Sequence, residues 1–272
     1  INSLVGSSSG NGVVTLYEVG NSNYVVADPS YGSAQVKNRG AVTFGNGLTG
    51  VSGTINSANS FVGSSAEDRV GEKTPSFGGF EVLSNGNYVV RNTKWDNGLN
   101  PDAGFIAMGD GNTGLTGVVS SSNSLVGLDT NDFVGIDVTP LPNGNYVATS
   151  AQRTASNQFQ YIFTLVDGTT PFTGTISDLT TQNSLISLPD SDPDTVNTKV
   201  VVLENGNYAV TVPKLDIGSA IDAGAVTVGN SVTGVQGNIS STNSLVGGKS
   251  NDRVGGKIVP LRNSNGNFVV VS

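Results

Sequence analysis

The sequence contains no cysteine and no histidine. Without cysteine there is no disulfide framework and no thiol nucleophile. Without histidine there is no Ser-His-Asp relay, and the two absences together remove the usual zinc sites. Charged side chains make up only 12% of the chain, about half the ordinary share. The 13 lysines and arginines form no run, and the formal net charge is −8. A nucleic-acid surface needs clustered lysine and arginine, so that partner class is excluded. The mild acidity serves solubility rather than ligand steering. No stretch approaches the ~18 consecutive apolar residues of a membrane-spanning helix, so no membrane span is expected. No secretion signal is seen, so the expectation is that one was removed or that the chain is excised from a longer one.

What the chain has instead is repetition. Ser84-Asn85-Gly86-Asn87-Tyr88-Val89-Val90 returns as Asn143-Gly144-Asn145-Tyr146-Val147-Ala148, Asn205-Gly206-Asn207-Tyr208-Ala209-Val210 and Asn265-Gly266-Asn267-Phe268-Val269-Val270, with a weaker first copy at Asn21-Ser22-Asn23-Tyr24-Val25-Val26. Asn-Gly takes positive φ readily at both centres of a tight hairpin turn. The Tyr-Val-Val that follows suits a half-buried strand. A second marker, Asn-Ser before a short apolar run, starts at Asn2, Asn59, Asn123, Asn183 and Asn243, in steps of 57, 64, 60 and 60 residues. Fixed framework strands with variable loops explain the spread.

Each repeat reads as four strands. A Leu-Val-Gly-like strand comes first, followed by an acidic loop such as Asp68-Arg69-Val70-Gly71, Asp132-Phe133-Val134-Gly135 or Asp252-Arg253-Val254-Gly255. A second strand, the Asn-Gly turn and the Tyr-Val-Val strand follow. A longer loop then leads to a fourth strand such as Gly224-Ala225-Val226-Thr227-Val228. No window carries helical periodicity, and glycine, 37 residues in all, interrupts every candidate. The expected architecture is an all-β repeat protein in a single domain over 1–272, with units of about 4–60, 61–124, 125–184, 185–244 and a partial 245–272. Four antiparallel strands per unit, repeated five times, fit a five-bladed β-propeller, with an open repeat array or solenoid as the alternative.

The run Leu-x-Asn-Gly-Asn-Tyr-Val-Val, then Gly-Ala-Val-Thr-x-Gly-Asn-Gly, then Thr-Gly-x-x-Gly-x-Ile/Val-Ser-x-x-Asn-Ser-Leu-Val-Gly resembles an uncharacterised repeat of large secreted bacterial proteins of haemagglutinin- or adhesin-like kind. The resemblance covers nearly the whole chain. The third unit departs from it, with Tyr161-Ile162-Phe163-Thr164 in place of Gly-Ala-Val-Thr, and Asp192-Pro193-Asp194-Thr195-Val196-Asn197 replaces the acidic loop further on. The resemblance implies an extracellular or cell-surface location and a binding or structural role, and it carries no catalytic residues.

Asp68, Asp132 and Asp252 share one register. Calcium would need six or more converging oxygens. One acid per repeat supplies too few, so these residues read as turn caps. No acidic cluster breaks the pattern in one unit, as a glycosidase pair would. The loop between the third and fourth strands holds the candidate ligand-binding residues Tyr31, Trp95, Asp96 and Asp216, because an aromatic ring beside polar groups is how sugar sites are built. The competing reading packs Trp95 between units, as Leu215 would pack at the matching place. The Asn-Ser pairs read as turn caps, and Tyr24, Tyr88, Tyr146, Tyr208 and Phe268 as core aromatics whose hydroxyl is dispensable.

The resulting expectation is a non-enzymatic structural or adhesive module of a bacterial surface assembly, without cofactor or metal. Its partners would be other copies, other surface proteins or glycans. A lectin-like protein binding sugar through the inter-strand loops is one alternative. The other is a filament subunit joined by strand exchange at its termini, with Ile1-Asn2-Ser3-Leu4-Val5 as the donor strand, within the chain or to a neighbour.

Overall fold

The computed structural model describes residues 4–6, 14–74, 78–190, 198–262 and 265–272. The acidic segment from Asp192 to Asn197 lies outside the described residues. Two compact lobes divide the chain: Ile1–Val138 with Asp167–Asp178, and Thr139–Val166 with Leu179–Ser272. Twenty-three strands and two single 3-10 turns make up the regular structure, and no α-helix occurs among the described residues.

In chain order the strands are β1 (Leu4–Val5), β2 (Thr15–Val19), β3 (Asn23–Asp28), β4 (Ala41–Gly45), β5 (Gly53–Thr54), β6 (Phe61–Val62), β7 (Gly78–Val82), β8 (Tyr88–Asn92), β9 (Phe105–Gly109), β10 (Gly117–Val118) and β11 (Leu125–Val126). They continue with β12 (Asp137–Pro140), β13 (Tyr146–Arg153), β14 (Phe159–Val166), β15 (Gly174–Thr175), β16 (Leu185–Ile186), β17 (Lys199–Val202), β18 (Tyr208–Val212), β19 (Ala225–Gly229), β20 (Gly237–Asn238), β21 (Ser244–Val246), β22 (Lys257–Pro260) and β23 (Phe268–Val271).

The first lobe holds two five-stranded sheets, ordered β10-β6-β4-β3-β2 and β15-β11-β9-β8-β7, and the small pair β1-β5. The second lobe holds the sheets β12-β13-β14-β16-β20 and β17-β18-β19-β21 and the pair β22-β23. These are small open sheets, and they correct the expected four-stranded antiparallel unit. Three strands of one repeat form an antiparallel meander. The fourth is the short apolar strand that opens the next repeat, as in β4 against β6 with Ala41 opposite Val62. The fifth closes that next repeat and runs parallel, as in β6 against β10 with Phe61 opposite Gly117. A parallel pair needs a long crossover. Here the crossover is the rest of the repeat, including a whole meander. Periodicity marks where strands lie; it does not reveal which repeat supplies the partner. Leu4–Val5 pairs in the same parallel way with Gly53–Thr54, within its own chain.

Asn21-Ser22 (φ 56° and 60°) and Asn265-Gly266 (φ 55° and 92°) take the expected positive φ at both positions, whereas the turns at Asn85, Asn143 and Asn205 differ from expectation. Asn85 does not take positive φ; only Gly86 does, at 88°. Leu83 N–H donates to Asn87 O at 2.8 Å, and Gly86 N–H donates to Leu83 O at 2.9 Å. This is a three-residue loop with glycine at the left-handed bulge position rather than a two-residue turn. Leu141/Asn145 and Leu203/Asn207 repeat it. Asn85 Oδ1 accepts from Asn87 N–H at 3.0 Å, which occupies the side chain locally and holds Asn85 in the turn.

The apolar faces of the meanders make the cores. In the first lobe Phe80 stacks between Tyr17 and Tyr88, with centroids 4.0 and 5.1 Å away. Phe61, Trp95 and Phe105 continue that cluster. Each such ring contributes roughly 1.5–3 kcal/mol by burial. In the second lobe one cluster gathers Leu203, Ala209, Val226 and Ile258.

Candidate functional site

The side chains that recur in every repeat are the first place to look for shared chemistry. The acidic loops come first. Asp68 and Asp132 are fully buried. Asp68 Oδ2 accepts from the backbone N–H of Ser64 and Ser65, both at 2.6 Å. Asp132 Oδ2 takes Leu128 and Asp129 at 2.8 Å each, and Asp252 Oδ2 takes Gly248 and Lys249 at 2.9 Å each. The carboxylate holds a loop whose backbone is unusual for L residues. Glu67, Asn131 and Asn251 have φ of 65°, 64° and 66°, and Arg69, Phe133 and Arg253 have 46°, 47° and 46°. Burial pushes the Asp68 carboxyl above its ordinary value, against the lowering effect of its hydrogen bonds.

The residues after each aspartate cross the start of the Ala-Val-Thr-type strand. Val70, Val134 and Val254 bridge in parallel to Gly40, Gly104 and Gly224. A Cβ at Gly104 would lie 2.3 Å from Val134 O and 2.6 Å from its N. That close approach of two backbones is why glycine stands there.

The Asn-Ser pair divides its work. Asn59, Asn123, Asn183 and Asn243 each accept through Oδ1 from the backbone N–H three residues earlier, at 3.0, 3.0, 2.7 and 3.0 Å. The serine beside it, buried at Ser60 and Ser184 and half-buried at Ser244, meets a strand threonine through its hydroxyl: Ser60 with Thr43 at 2.7 Å, Ser184 with Thr164 at 2.8 Å and Ser244 with Thr227 at 2.6 Å.

The second asparagine of Asn-Gly-Asn reaches across repeats. Asn87 Oδ1 accepts from Gly111 N–H of its own repeat at 2.9 Å, and Nδ2 donates to Gly168 O of the next at 2.8 Å. Asn23 does the same with Gly47 N–H and Gly111 O, both at 2.9 Å. Gly111 is therefore held on both sides, by Asn23 at its carbonyl and by Asn87 at its N–H. In the second lobe Ser231 O accepts from Asn145 at 3.0 Å, and Ser231 N–H donates to Asn207 at 3.0 Å. Sequence reasoning gave this asparagine no role of its own. The signal available was its surplus, since Asn-Gly alone suffices for a turn.

The four sequence-chosen ligand residues are not gathered into one site. Tyr31 and Trp95 occupy matching positions in successive repeats, and both are buried. Tyr31 OH donates to Ile55 O at 3.0 Å. Trp95 packs edge-on against Phe105 at 6.2 Å, and its Nε1–H donates to Ser64 Oγ at 3.0 Å. Leu215 is buried at the matching place in the second lobe. Asp96 Oδ1 accepts from Asp102 N–H at 3.0 Å, and Asp216 Oδ1 from Asp222 N–H at 2.8 Å, so each clamps its own loop.

Two concave features flank these loops in the first lobe. One, of about 380 Å³, is lined by Glu67, Arg69, Glu72, Lys94, Asp96 and Asp102 among others. Its cations face acids within it: Arg69 meets Glu67 at 2.8 Å and Glu72 at 3.4 Å, and Lys94 meets Asp102 at 2.9 Å. The other, of about 270 Å³, has Trp95 in its wall. No three acids among the described residues form a metal-binding group. No helix among them is long and apolar enough to cross a membrane.

With this geometry in view, the comparison with known families is decisive at one level. The family model "Repeat of unknown function (DUF5650)" matches four times, over residues 18–72, 82–136, 140–194 and 202–256. The chain belongs to that repeat family. Each DUF5650 copy spans an acidic loop or its third-repeat replacement. The framework residues just described are therefore framework residues of the family repeat as it stands in this chain. No curated protein matches the sequence.

Proposed function

We propose that this chain is a non-enzymatic structural module of a bacterial surface or extracellular assembly, with adhesion through its loops as the accompanying role. One observation carries the reading. The polar side chains that the repeats share are engaged by the backbone and hydroxyls of their own or the next repeat, as Asn87 is by Gly111 and Gly168. Chemistry copied into every repeat is thereby directed at holding repeats together. Among partners, other copies and surface proteins fit a chain of this kind. The haemagglutinin- or adhesin-like affiliation rests on the sequence resemblance. Between the five-bladed propeller and the open repeat, the strand passed from each repeat to the preceding sheet supports the open repeat.

Antibody labelling of the intact bacterium that makes the chain tests the reading. Strong labelling without permeabilisation is expected. Signal that appears only after permeabilisation contradicts it, and so does saturable turnover of any glycan by the purified chain. The lectin-like alternative is favoured by a specific feature, the cleft beside Trp95.

A further inference from the structure

We infer that the cleft beside Trp95 is a binding site for one uncharged pyranose ring. The inference goes beyond the structural reading, since a purely supporting module needs no such cleft. The lining divides into two kinds of surface. Leu128 is the exposed apolar side chain of the lining, over a floor made by the edges of the buried Trp95, Val119 and Val126, while Asn97 and Ser121 are among the polar lining residues. A pyranose has the same division, with C–H groups on its faces and hydroxyls around its edge, so ring-on-apolar contact and edge hydrogen bonding can be made together.

Size and charge narrow the ligand further. The volume of about 270 Å³ falls just below the ~300–1,000 Å³ of pockets for drug-sized ligands. It accommodates one ring rather than an extended chain. No charged side chain lines the cleft, in contrast to the ion-paired pocket that contains Asp96. An anionic sugar would lose its hydration there without a cation to replace it.

The hydrogen-bonding groups are also sorted. Ser64 Oγ is taken by Trp95 Nε1–H and Asp68, and Thr175 Oγ1 by Ser177 and Asp178. Asn97 donates through Nδ2 to Gly127 O at 2.8 Å, which fixes the amide and leaves Oδ1 as an acceptor. The Ser121 hydroxyl forms no hydrogen bond to the described residues. A held acceptor and an uncommitted hydroxyl beside an apolar surface are what a sugar edge requires. The tryptophan is peculiar to this repeat; Tyr31 and Leu215 stand at its matching positions. One site per chain is therefore expected, not one per repeat.

The single tryptophan makes the test direct, because emission from Trp95 reports this cleft alone. Methyl glycosides of glucose, galactose, mannose and N-acetylglucosamine are titrated into the full chain, with glucuronic acid as the charged control. A saturable emission change for at least one neutral glycoside is expected, with half-saturation on the order of a millimolar, as suits a single small site. Ser121→Ala, a surface change that leaves the fold intact by thermal melt, should raise that value by about tenfold, the loss of one hydrogen bond. Asn97→Ala should raise it at least as much. Three results would overturn the inference: no saturable response to any neutral glycoside, a response to glucuronic acid alone, or a response indifferent to both substitutions. Because surface labelling is a separate measurement, failure here leaves the structural reading standing and is distinguishable from its failure.

Discussion

The second and third repeats solve the same packing problem in different ways. In the second, the Asp132–Gly135 loop crosses Gly104, and Gly104, Gly109 and Gly127 make room for close neighbours. A Cβ at these positions would lie 2.3 Å from Val134 O, 2.1 Å from the Tyr88 ring and 2.1 Å from Ala103 O respectively. In the third, Tyr161, Val166 and Ser187 take the three places. The meander hairpin there lengthens to eight residues a side, Tyr146–Arg153 against Phe159–Val166. Phe159 bridges antiparallel to Asp190 in place of the parallel glycine–valine bridge. Ser187 Oγ accepts from Tyr161 N–H at 2.9 Å, so a side chain does work that backbone does elsewhere. What survives the exchange is the polar framework: Ser184 still meets Thr164, and Asn145 still donates to the following turn. The loop and its glycines form one replaceable set, and the asparagine and serine contacts form another.

That division can be broken most forcefully at Gly104. Gly104→Ala places a methyl against backbone atoms and also forces an L residue to φ 77°. A loss of about 3 kcal/mol or more is expected in urea unfolding of the chain. A cost under about 1 kcal/mol would mean that the crossing loop yields easily. Next in size is a serine comparison. Ser184→Ala strands the Thr164 hydroxyl in a buried site and should cost about 1–2 kcal/mol. Ser124→Ala should cost clearly less, because Ala107 stands where the threonine would be. Equal losses would remove the hydroxyl pair from the account.

A smaller effect is expected from pH. The folded-state pKa of Asp68 lies above its ordinary value because burial disfavours the charge. Its contribution to stability is then fully present below the unfolded value of about 3.9, and is lost as pH rises through the raised folded value. Asp68→Asn keeps an accepting oxygen and removes the titration. Its melting temperature relative to the parent should therefore be more favourable at pH 7 than at pH 4, and a reversed trend would contradict the assigned direction. Smallest of all is Tyr146→Phe. The Tyr146 hydroxyl is buried without a hydrogen bond among the described residues, and its pKa is raised by that burial. The change should be neutral or stabilising by up to about 1 kcal/mol, read from the same urea curves.

Much of this was legible in the sequence, and the exceptions share a cause. Asn-Gly, Tyr-Val-Val and the Asn-Ser spacing are local signals, and they mark strands, turns and repeats directly. The aspartate and asparagine caps are local as well, and their bonds span three or four residues, whereas the serine of each Asn-Ser pair meets a threonine 17 to 20 residues away. The mixed sheets were not legible, because the choice of Gly117 as partner for Phe61 is made 56 residues away. The burial of Trp95 was one of the two readings the sequence offered, and local signals did not choose between them. A tryptophan beside an aspartate reads alike in a groove or a core until Phe105 and Val119 are known to pack near it. The reach of Asn87 to Gly168 spans 81 residues, and only the recurrence of a second asparagine hinted at it.

The central claim is that this second asparagine ties its turn to its own repeat and to the next, as Asn23 and Asn87 both do. Amide hydrogen exchange at Gly111 in Asn87→Ala tests it most directly. Gly111 N–H donates to Asn87 Oδ1 in the intact chain. The substitution should raise its exchange rate by roughly tenfold or more, the loss of one hydrogen bond, while Gly47 N–H, held by Asn23, keeps its protection. Unchanged protection at Gly111 would contradict the account.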